Sequence, residues 1–110
     1  MIKMPDKPNE FDIQSYLHHE LKKLYPHVHG EVVIKGDRRK GERGARFDLV
    51  CFDAEGQAVL VIEVKRDGWG KRQGYDQREG SKQEHYSTLA GCACIYIKGM
   101  ADAVQFISEH

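Results

Sequence analysis

Residues 46–66, RFDLVCFDAEGQAVLVIEVKR, hold two β-rich runs, 47–53 and 57–65, on either side of a short turn around Ala54-Glu55-Gly56, and this hairpin constrains the fold more than any other stretch. Side chains alternate along a strand, so Val59, Val61, Glu63 and Lys65 share one face while Leu60, Ile62 and Val64 share the other. Both faces of the second strand therefore begin apolar. An even-length turn puts Asp48 on the face of Glu63, directly opposite it if the loop is Glu55-Gly56. Two carboxylates and the Lys65 ammonium then converge. Like charges in a poorly hydrated place repel and lose hydration, so positive charge has to stand between them. Lys65 supplies one such charge, and a hard divalent cation with oxygen ligands would supply two more. Cation, carboxylates and lysine together are sufficient for phosphodiester hydrolysis, because the cation activates a water and the ammonium orients it or offsets developing charge. The plain counterpart is a solvated Glu-x-Lys pair on an outer sheet face. The valines at 59 and 61, which make that face at least half buried, argue against it.

The remaining elements follow from periodicity. From an Asn9 cap, Ile13, Leu17, Leu21 and Leu24 recur at helical spacing until Pro26 stops the pattern after Tyr25. Glu20 falls inside that apolar stripe. Its partner is either the distant carboxylate site or, at i,i+3, Lys23. Residues 31–35 read as a strand and 36–45, GDRRKGERGA, as a basic, Gly-punctuated loop. Residues 67–80 form a loop with Trp69 and Tyr75 among cations, suited to stacking on nucleotides or to local packing. Ser81 to Glu84 fits a capping box, with a start nearer Gln73 as an alternative, and Ala90-Gly91 ends that helix. Cys92–Lys98 is a further strand, and Asp102–Ser108 a short closing helix. The order αβββαβα predicts an α/β fold, and 110 residues with no repeat predict one domain, 1–110.

Net charge is zero, from 17 basic and 17 acidic residues, but the charges are banded. Residues 35–46 carry 6 basic and 2 acidic groups, 47–64 carry 4 acidic and none basic, and 65–82 carry 6 basic and 3 acidic. Two basic rims around an acidic centre would hold a polyanion while the carboxylates hold a metal, although solvated loops give the same pattern. The rim candidates are Arg38, Arg39, Lys40, Arg43 and Arg46 in the first segment and Arg66, Lys71 and Arg72 in the second. Cys51, Cys92 and Cys94 lack zinc or disulfide spacing. With no apolar span and no leader pattern in the first fifteen residues, a cytoplasmic protein without a membrane partner is expected.

With Asp48 opening one strand, Glu63-Val64-Lys65 on the next and Glu20 on the first helix, the chain resembles the PD-(D/E)XK nuclease superfamily over nearly its whole length. Gln83-Glu84-His85-Tyr86 resembles the Q-x-x-Y signature of the nuclease domain in type I restriction motor subunits, and the size is similar to that of small Holliday-junction resolvases. Phe47 stands where the motif's proline would be. The resemblance implies a restriction endonuclease-like αβββαβ core with a mixed four-stranded sheet flanked by helices. It also implies magnesium- or manganese-dependent cleavage of DNA, with RNA an open alternative. Asp48, Glu63 and the Val64 carbonyl would be metal ligands with Glu20 as a further candidate, Lys65 the catalytic lysine, and Gln83 and Tyr86 supports. So small a chain leaves no room for a separate target-reading domain, which points to structure-selective cutting, as a homodimer or in a larger nuclease complex. The rival expectation is a catalytically silent module of the same fold that binds nucleic acid or protein.

Overall fold

The computed structural model describes residues 9–41, 43–65 and 85–110. Helix α1 (Glu10–Leu21) starts at a closed capping box: the Asp12 N–H donates to the Asn9 side chain at 2.8 Å and the Asn9 N–H to the Asp12 carboxylate at 3.0 Å. Ile13, Leu17 and Leu21 are fully buried along one stripe. The helix ends at Leu21, before the expected Tyr25, where the Lys23 and Leu24 N–H groups turn to the Glu20 and Leu21 carbonyls in i→i−3 bonds that tighten the last turn, and Pro26 disfavours helical backbone at Tyr25.

Strand β1 (His27–Ile34) begins four residues earlier than expected. His27-Val28-His29-Gly30 has no strand signature of its own, and it is pairing with β2 (Ala45–Phe52), from His27↔Phe52 to Ile34↔Ala45, that makes it one. Between them Arg38–Lys40 forms a single 3-10 turn. β2 and β3 (Ala58–Lys65) form the expected hairpin with a different turn. Asp53 accepts the Glu55 and Gln57 N–H groups at 3.0 and 2.9 Å, closing an odd loop, 53–57. An odd loop would reverse which side chains face each other. A bulge corrects this: Cys51 pairs with Leu60 but Phe52 with Ala58, so Val59 is the extra residue, and from Leu60 to Ile62 the register is the one the sequence predicts.

Helix α2, described over 85–90, returns the chain to β4 (Ala93–Lys98), which lies parallel to β3 from Leu60↔Ala93 to Lys65↔Lys98. Helix α3 (Met100–Ser108) follows at once, two residues earlier than expected, with Asp102 accepting the Lys98 N–H at 2.8 Å. The fold is α/β, with a mixed four-stranded sheet in the order β1-β2-β3-β4.

The sheet separates two cores. On one side Ile13, Leu17 and Leu21 of α1 and Ala103 of α3 pack on Leu49, Cys51, Leu60, Ile62, Val64 and Ile97. On the other, Tyr86, Leu89 and Ala90 of α2 cover Phe47, Val50, Val61 and Cys94. β3 is apolar on both faces because both are covered. No helix among the described residues is long and apolar enough to cross a membrane.

Candidate active site

The β2–β3 ladder runs only as far as Leu49↔Ile62. One step further the register would set Asp48 against Glu63, as expected from the sequence. There, however, the Val64 N–H donates to Asp48 Oδ2 at 2.8 Å, so a side chain takes the place of a main-chain partner. The Asp48 carboxylate thus stands between the two strands, touching the middle residue of Glu63-Val64-Lys65. Its own carbonyl is held from the helix side: Gln14 Nε2 donates to it at 2.9 Å. Gly30 leaves this amide room, since a Cβ there would lie 3.3 Å from the same Nε2.

The strands also change face at this level, which simple alternation does not predict. Phe47 and Leu49, two residues apart on β2, belong to opposite cores, as do Val28 and Val32 on β1. Glu31 occupies the β1 position across from Asp48, between the pairs Gly30↔Leu49 and Val32↔Phe47, and has φ of 55°, the left-handed region that non-glycine residues rarely adopt. Its carboxylate pairs with Arg46 at 2.9 Å.

Beyond the fork, β3 continues against β4. Glu63 is 4% exposed, the one charged side chain among the buried described residues. Alternation puts it and Lys65 on the face of Val61, and parallel register sets Tyr96 beside Glu63 and Lys98 beside Lys65. The Gly99 N–H donates to the Lys65 carbonyl at 2.8 Å, fixing the strand end. Gln14, Tyr96 and Lys98 are neighbours of the candidate site that the sequence reading missed. A glutamine on a helix stripe carries no sign of its target, and a parallel register cannot be read from sequence.

Glu20 pairs with Lys23 at 3.3 Å, the i,i+3 alternative. It lies six residues past Gln14, about 9 Å along the axis and on another side of it, so α1 presents Gln14 and not Glu20 to Asp48. Tyr86 packs edge-on against Phe47, the residue before Asp48, with ring centroids 5.1 Å apart. Arg39, Lys40, Arg43 and Arg46 are exposed. Gln83, Arg66, Lys71, Arg72 and the side chain of Arg38 lie outside the described residues, as do Trp69 and Tyr75.

A hard divalent ion keeps several waters and takes one or two carboxylates from a protein. Asp48 spends Oδ2 on the Val64 N–H, so its other oxygen is the one that could take such an ion. Glu63 engages neighbours of its own, and its buried Oε1 accepts no hydrogen bond from the described residues. These two carboxylates are the ones that could hold a magnesium or manganese ion. Among the described residues no group of three or more His, Cys, Asp or Glu side chains is placed to hold a metal, so Glu20 is not brought together with Asp48 and Glu63 there. Compared with family models, curated proteins and solved structures, the chain matches none.

Proposed function

We propose that the chain is a metal-dependent nuclease that hydrolyses DNA phosphodiester bonds, structure-selectively or within a larger complex. The observation that carries this reading is the Val64 N–H bond to Asp48, which pins one carboxylate from a separate strand against the centre of Glu63-Val64-Lys65. Asp48 and Glu63, with the Val64 carbonyl, would hold magnesium or manganese; when bound, the ion activates a water and offsets phosphate charge. Lys65 orients that water or neutralises charge developing on the phosphate, with Lys98 beside it adding to the positive field. Gln14 keeps Asp48 in place through its carbonyl, and Tyr86 does so through Phe47.

The test is incubation of the chain with supercoiled, linear, single-stranded and branched DNA, and with RNA, in magnesium or manganese. Lys65→Ala is the control, and it should abolish cleavage while the circular dichroism spectrum stays that of wild type. Equal cutting by both proteins would remove Lys65 from the mechanism. The second reading, a silent binding module, is favoured by one observation: Asp48 already has a structural task, so the fork would persist without a metal. It would show as nucleic-acid affinity with no cleavage in any metal.

A further inference from the structure

An open cleft of about 860 Å³ lies between the end of β1, the start of β2 and helix α2. Its lining combines Lys35, Arg43 and Arg46 with Ile34, Ala45 and Tyr86. The walls are held by specific contacts. His85 Nε2 lies 3.2 Å from the Arg43 carbonyl, tying 43–44 to α2. Gly44 approaches β1 so closely that a Cβ would come within 2.5 Å of the Ile34 carbonyl. Of the three cations only Arg46 is in an ion pair among the described residues, with Glu31. Lys35 and Arg43 are exposed, so an anion can reach them. Ile34, Ala45 and Tyr86 of its lining belong to the core of Phe47 and Val61, and Glu63 and Lys65 alternate onto the face of Val61.

Cations beside an aromatic and aliphatic wall suit a ligand that carries a phosphate and an exposed flat ring. A paired base inside a duplex has both faces stacked on its neighbours, so a duplex offers this cleft phosphates but no free ring face along its length; an unpaired nucleotide offers both. We infer that the cleft takes an unpaired nucleotide of the substrate strand, its phosphate at Lys35 and Arg43 and its base against Tyr86. This rests on the nuclease reading and narrows the substrate to nucleic acid with a single-stranded stretch next to the cut: a flap, an overhang or an open branch.

Binding is measured in EDTA, so that cleavage plays no part, by fluorescence anisotropy of a labelled oligothymidylate, an abasic strand of the same length and a blunt hairpin duplex. Oligothymidylate should bind more tightly than either of the others. In the Lys35→Ala, Arg43→Ala double variant its affinity should fall, and the slope of log K against log salt should flatten by ~1.4, two phosphate contacts on a single strand. An unchanged slope, or a hairpin bound as tightly as oligothymidylate, overturns the proposal; an abasic strand bound equally well removes the base from it. Such a failure beside Lys65-dependent cleavage leaves the nuclease reading standing. The expected binding without any cleavage leaves the cleft standing on a silent module.

Discussion

Asp48 illustrates how one side chain can serve fold and chemistry by separable properties. As a hydrogen-bond acceptor it satisfies the Val64 N–H at a place where β2 no longer supplies a carbonyl. As an anion it is a candidate metal ligand. Asn keeps the acceptor and loses the charge, whereas Ala loses both and leaves a partly buried N–H unsatisfied. Asp48→Ala should therefore cost ~1–3 kcal/mol in urea unfolding, and Asp48→Asn much less. Calorimetry should show magnesium or manganese binding that is weak or lost in both. Metal binding by the Asn variant equal to wild type would leave Asp48 a structural residue only.

At the scale of elements, the fork depends on a conflict that β1 absorbs at Glu31. Left-handed backbone in a residue with a Cβ stores strain of ~1–3 kcal/mol, and glycine adopts it freely. The Arg46 pair that would be lost has both side chains more than 60% exposed and so contributes little. Glu31→Gly should accordingly leave stability equal or raise it by up to ~1 kcal/mol, read from the urea midpoint at constant slope, whereas Glu31→Val should lower it. For α1, orientation separates two acidic readings. Because Gln14 is the residue aimed at Asp48 and Glu20 pairs with Lys23, Glu20→Gln should cost at most ~0.5 kcal/mol and leave cleavage at the wild-type rate. A variant of normal stability that cuts slowly would return Glu20 to the site. The hairpin shows how much of an element sequence can convey. Parity gives only the shared face; a Glu55-Gly56 loop would set Leu49, Val50 and Cys51 against Ile62, Val61 and Leu60, and the structure reaches that register through an odd loop and a compensating bulge at Val59, which cancel each other and so leave no trace in the apolar pattern.

At the scale of the whole molecule, two cores back to back on one sheet leave Cys51 with no exposure. Its thiol is pushed up to about 11, first by lost hydration and then by the nearness of Cys92. The neutral thiol is thus favoured in the fold, so this contribution is complete below the ordinary value of 9.0 and disappears as pH rises towards about 11. Between those limits the unfolded chain has lost the proton that the folded one keeps, and stability falls. Urea midpoints at about pH 8 and about pH 11 should drop further in wild type than in Cys51→Ala, and parallel drops would place the alkaline loss elsewhere.

The sequence by itself determined the element order, the Asn9 cap, the apolar stripe of α1, the two-faced character of β3 and the hairpin that brings Asp48 to the level of Glu63-Val64-Lys65. All of these follow from local periodicity and from the closeness of two runs joined by a short turn, which act over a few residues. Only the tertiary structure decided that His27–Gly30 is strand, that β2 and β1 change face at Asp48 and Glu31, and that Gln14, Tyr96 and Lys98 join the candidate site in place of Glu20. These depend on which main-chain groups find partners across the sheet and on the parallel register of β4, contacts between segments far apart in the chain that no local pattern encodes.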